Sequence, residues 1–154
     1  MRLTTAGISF DSGTNSLGNY TEGTFTPDVG GSSSDPTTGW STAAGYYTRI
    51  GDTVKIIIKL IGDGSTYTGG SGRLQVKTLP YATPNSSEGD NVGAVLCFKN
   101  LNHDDSATQV NAVTIQNSSV YELQEQFDNA GQAACDVGDL ANDGRLYLSG
   151  TYKV

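Results

Sequence analysis

His103 is the only histidine in the chain, and Asp104 and Asp105 follow it directly. A Ser-His-Asp arrangement would need that imidazole as its base. Neighbouring residues on a strand or turn point apart, however, so this triplet does not make a triad by itself. It reads as a solvated turn. Asp136, Asp139 and Asp143 cluster with Asn142 and Gly144. Carboxylates in a Gly-rich loop have the hard oxygens that Ca²⁺ takes, but these do not follow the alternate spacing of a twelve-residue calcium loop. They are a weak metal candidate, and an ordinary loop is the expectation. No carboxylate pair stands in a setting that suggests glycoside hydrolysis. We expect no enzyme, no metal requirement and no cofactor.

Eight tyrosines and one tryptophan are the nearest thing to a binding signature. Tyr67 and Tyr81 fall in polar loops, where an aromatic ring can stack on a sugar or anchor a protein contact. They are the candidate receptor-binding residues. Tyr46, Tyr47, Tyr121, Tyr147 and Tyr152 fall in strand patterns, and half-buried packing is the simpler reading for them.

The elements that must position these groups are strands. Twenty of 154 residues are glycine, the single Met is the first residue, and no segment has the composition of a long helix. Trp40–Ile50 and Thr53–Ile61 read as a hairpin turned by Gly51-Asp52. In the second strand Val54, Ile56, Ile58 and Leu60 alternate with Lys55 and Lys59. Ile57 and Ile61 interrupt that polar face, so it needs cover from a second sheet or a neighbouring subunit. They are the candidate oligomer-interface residues.

Further strands are expected over Glu22–Pro27, Arg73–Thr78, Val92–Lys99, Gln109–Gln116, Ser119–Glu125 and Arg145–Val154, the last opened by an Asp143-Gly144 turn. The apolar run around Cys97 reads as a central strand covered on both faces, with Cys97 in the core. Cys135 falls in a polar stretch, and both thiols are expected to be free. Residues 28–39 and 62–72 read as loops, and 127–143 as a polar segment with room for one helical turn. The result is one all-β domain over residues 21–154, an antiparallel β-sandwich or jelly roll. Residues 1–20 read as an N-terminal arm that docks on a partner, with Gly7–Phe10 as a short edge strand.

Net charge is −7 and the isoelectric point is near 4.4. An acidic chain repels phosphate backbones, so nucleic acid is not an expected partner. No apolar run approaches the roughly 18 residues of a membrane helix, and no membrane insertion is expected. The start lacks a signal-peptide pattern.

Four stretches carry a family resemblance: Leu17-Gly18-Asn19-Tyr20-Thr21-Glu22-Gly23-Thr24-Phe25-Thr26-Pro27, Gly45-Tyr46-Tyr47-Thr48-Arg49-Ile50-Gly51-Asp52-Thr53-Val54, Gly70-Ser71-Gly72-Arg73-Leu74-Gln75-Val76 and Leu79-Pro80-Tyr81. In that order they resemble bacteriophage tail-fibre, tailspike and other virion appendage proteins. The resemblance covers roughly residues 7 to 81. It implies a virion structural protein, assembled in the host cytoplasm as a homotrimer among other virion proteins. A module binding a host-surface glycan or protein is its first implication. A capsid decoration or head-fibre protein is the alternative, and a polysaccharide-degrading domain is the least favoured. The resemblance supplies no catalytic residues.

Overall fold

The computed structural model describes residues 2–4, 7–11, 15–17, 20–37, 39–65, 68–87, 93–128 and 131–154. Among the described residues the named elements are antiparallel strands and a 3₁₀ turn at Val137–Asp139. The all-β antiparallel expectation is met.

Three strands at the start, β1 (Arg2–Thr4), β2 (Gly7–Asp11) and β3 (Asn15–Leu17), form a small sheet of their own. The strand expected at Gly7–Phe10 is therefore the middle strand of a ladder, not an edge.

The main sheet runs β4 (Thr21–Phe25), β7 (Trp40–Ile50), β8 (Thr53–Gly62), β15 (Leu140–Lys153), β11 (Gly93–Leu101), β12 (Ala107–Thr114), β13 (Tyr121–Phe127), β10 (Leu74–Lys77) and β5 (Asp28–Gly31). β14 (Gln132–Ala134) pairs with β13. The sheet curls so that its two halves face each other. Apolar residues of both halves join one buried cluster, including Ile56, Ile58, Leu60 and Leu148 from one side and Leu74, Val76, Ala112 and Leu123 from the other. Tyr121 and Tyr152 meet edge to face between the halves, with centroids 6.1 Å apart.

Alternation in β8 is as the sequence implies. Val54, Ile56, Ile58 and Leu60 are buried, while Lys55, Ile57 and Lys59 are exposed. Gly51 takes φ +62° in the β7–β8 turn, which a glycine adopts at no steric cost. Along β7, Gly45 sits where a Cβ would lie 2.5 Å from the Phe25 ring. That close approach lets Phe25 cover the inner face.

Several expectations need correction. β5 lies in the expected loop 28–39, and β6 (Ser34–Thr37) and β9 (Thr68–Ser71) form a two-stranded ladder across both expected loops. The Asp143-Gly144 turn is absent, because β15 runs straight through it from Leu140. Gly144 is buried there, and a Cβ would lie 2.5 Å from Leu140 Cδ1. The cysteines exchange places: Cys97 is exposed and Cys135 is buried, both as free thiols. Cys97 faces outward because its register partner is Tyr147, on the outer face of β15. Burial, first, and the nearby carboxylates of Glu125, Asp139 and Asp136 push the Cys135 thiol up to about 12. A thiol-specific reagent at pH 8 is accordingly expected to label Cys97 first and to reach Cys135 only with unfolding. Equal labelling of both thiols in the folded chain would contradict the burial of Cys135.

Candidate ligand cleft and exposed sheet face

β11 and β12 are successive strands, yet they share only two register pairs, Gly93↔Val113 and Ala94↔Ala112. Continued register would set Leu96 against Val110 and Phe98 against Thr108, closing a plain hairpin. Instead the strands part. Each carries an irregularity on its other ladder, β11 between Lys99 and Leu101 against β15, and β12 between Ala107 and Gln109 against β13. A bulge bends the strand that bears it. Asn100 supports the first bend with φ +56°, and its Nδ2 donates to Asp143 Oδ1 at 2.7 Å.

The connecting loop is fixed in place. Asn102 N donates to Asp139 O at 2.6 Å, and Asp104 N donates to the buried Glu125 at 2.9 Å. Asp104 Oδ1 accepts from Ser106 Oγ at 2.6 Å and Ser106 N at 2.8 Å. Those two bonds hold the Asp104 carboxyl below its ordinary range.

Between the parted strands lies a cleft of about 910 Å³, within the usual range for a ligand site. Leu96, Val110 and Val113 give it apolar walls. Phe98 and His103 stand edge to face with centroids 5.6 Å apart. Gln109, Asn111, Gln126 and Gln132 supply amides, and Gln109 Nε2 donates to Gln126 Oε1. Among the described residues the lining contains no Asp, Glu, Lys or Arg. Amides both donate and accept hydrogen bonds, and aromatic rings cover C–H surfaces. The cleft therefore suits an uncharged ligand rich in hydroxyl or amide groups.

The residues singled out from sequence fall as follows. His103 is half-buried against Phe98, and its Nδ1 lies 3.0 Å from Asp104 O. Tyr67 lies outside the described residues. Tyr81 is half-buried: it meets Tyr47 edge to face at 5.6 Å, carries the Arg49 guanidinium 4.8 Å from its centroid, and its carbonyl accepts from Tyr152 Oη at 3.1 Å. Asp136, Asp139 and Asp143 do not converge. Asp139 Oδ2 accepts from Asp136 N at 2.7 Å, whereas Asp143 faces Asn100 and Lys99. Among the described residues no group of three His, Cys, Asp or Glu side chains is placed to hold a metal ion. Sequence reasoning missed Phe98, Gln109, Asn111, Gln126 and Gln132. For Gln109 and Asn111 the signal was the charge-free polar alternation of β12; Phe98, Gln126 and Gln132 lie on β11, β13 and β14 and carried none.

Ile57 is half exposed, at 50%, and Ile61 is half-buried beside it on the same face. That face is the outer surface of β4, β7, β8, β15 and β11. Register places Tyr46 beside Ile57, Lys59 beside Tyr147, Ile61 beside Arg145 and Ile50 beside Thr53. Tyr20 joins at the β4 end, donating from its hydroxyl to Glu22 Oε2 at 2.9 Å. All five large apolar side chains exposed among the described residues, Tyr20, Tyr46, Ile50, Ile57 and Tyr147, lie here.

No family model matches the chain, and no curated protein matches it. Among solved structures it is similar to the Dettilon tailspike protein, with a TM-score of 0.64 and 16% identity over 87% of this chain. The chain spans 24% of that protein's length. The likeness is one of fold, over the part of that protein that the chain matches.

Proposed function

We propose that this chain is a bacteriophage virion protein, a tail-fibre or tailspike module on the particle exterior that binds a host-surface receptor through the β11–β12 cleft. It acts by binding, without catalysis, and assembles as a homotrimer. The observation that carries this reading is the uncharged, aromatic and amide-lined cleft, held open by two bulges, on a fold similar to part of a tailspike. The four ordered sequence stretches around residues 7 to 81 support it. The cleft chemistry favours a neutral saccharide, whose hydroxyls the amides of Gln109, Gln126 and Gln132 would meet while Phe98 covers a ring face.

Gold-labelled antibody raised against the chain and applied to intact particles tests the location. Decoration at the tail tip is expected. Decoration spread over the head would contradict the tail reading and favour a capsid decoration protein.

A further inference from the structure

The exposed sheet face is not uniform. Its β4–β7 half presents Tyr20, Tyr46 and Ile50 with Glu22 and no cation. Its β8–β15–β11 half presents Ile57 and Tyr147 with Lys55, Lys59, Lys99, Arg145 and Lys153. That second half holds five of the chain's nine Lys and Arg residues, in a chain of net charge −7. Lys99 and Lys153 reach Asp143 and Asp52 at 3.8 and 3.3 Å. Lys55, Lys59 and Arg145 have no carboxylate within ion-pair distance among the described residues.

We infer that this face is a self-association surface in which the β4–β7 half of one copy seats on the β8–β15 half of the next. The inference rests on the homotrimeric reading above and assigns its contact. Both halves carry exposed apolar residues, so this seating pairs apolar with apolar. It sets Glu22 against the cationic half, whereas seating two cationic halves together would oppose Lys to Lys. The large exposed apolar groups all lie on this one face, so no other described surface of a second copy matches it equally well. By strand spacing and rise the five strands cover on the order of 700 Å²; shared between the two contacts each copy makes in a ring, that is roughly 350 Å² a side per contact, a small interface beside the ~800 Å² per partner of the standard size.

Sedimentation of three proteins tests this: the unaltered chain, Ile57→Asp, and the triple variant Lys55→Glu, Lys59→Glu, Arg145→Glu. Asp105→Lys, an exposed loop change, is the control, and melting curves confirm that each variant is folded. The unaltered chain and the control are expected at three times 16.1 kDa at micromolar concentration. Both face variants are expected to need at least about tenfold more protein to assemble. A trimer that persists unchanged in both variants overturns this contact and leaves the trimeric reading standing. A dimer that both variants dissociate supports the contact and ends the trimeric reading. An unaltered chain that stays monomeric overturns both, and the face then belongs to a different partner.

Discussion

Leu148→Ala is expected to lower the unfolding free energy by about 2–5 kcal/mol, the range for truncating a fully buried leucine that leaves a cavity. Leu148 is 2% exposed and lies opposite Ile58 on β8 and Leu96 on β11, at the centre of the main sheet. Neighbours on three strands are fixed by their ladders and cannot collapse into the space. Ile57→Ala provides the contrast. Ile57 adjoins Ile58 in sequence but is half exposed on the opposite face. At a concentration where the chain is monomeric, its truncation is expected to stay within about 1 kcal/mol. Urea denaturation separates the two. Equal losses would contradict the assignment of inner and outer faces.

Arg73→Met is expected to cost about 2–4 kcal/mol. Glu122 on β13 is 3% exposed, and its Oε1 accepts from Arg73 Nη1 at 3.0 Å and from Gln124 Nε2 at 3.2 Å. Removing the guanidinium leaves a buried carboxylate with one neutral donor. Breaking a fully buried pair costs about 3–5 kcal/mol, and the loss is smaller here because the Arg73 side chain is 62% exposed. Adding Glu122→Leu to Arg73→Met removes the stranded charge and is expected to restore most of the stability. A double variant no more stable than Arg73→Met alone would show that the cost lies in Arg73's packing rather than in its charge.

The sequence revealed what local alternation can encode. The β7–β8 hairpin was legible because Gly51-Asp52 separates two strand patterns and because β8 has apolar residues on alternate positions. Ile57 and Ile61 stood out for the same reason, as interruptions of a lysine-bearing face. The β5, β6 and β9 segments were not legible. They are rich in Gly, Ser and Pro, and their pairing depends on distant backbone partners, such as Ser32 N donating to Arg73 O at 3.0 Å and Ser33 N to Ser71 O at 3.2 Å. Tertiary pairing likewise overrode the Asp143-Gly144 signal, since Leu140 pairs with Leu101 and keeps β15 extended. Cys97 and Cys135 could not be placed by the composition around them, because register alone decides which face each presents.

The cleft was hidden for a further reason. Read locally, Gly93–Leu101 and Ala107–Thr114 make a closed hairpin with a short connection. What separates them are bulges formed on their other sides, against β15 and β13, together with the left-handed Asn100 tied to Asp143. β13 is the next strand along the chain, but β15 and Asp143 are distant, with Asn100 and Asp143 43 residues apart. His103 was recognised as chemically notable, but its partner Phe98 and the surrounding glutamines assemble only in three dimensions.

The most direct measurement is attachment of the fluorescently labelled chain to cells of the bacterium its particle infects, compared with a Phe98→Ala, Gln109→Ala variant of unchanged melting temperature. The account predicts saturable attachment, weakened at least about tenfold by the two substitutions, as losing a stacking surface and a hydrogen-bonding amide together implies. Attachment of equal strength by both proteins, or no saturable attachment by the unaltered chain, would contradict the cleft as a receptor site.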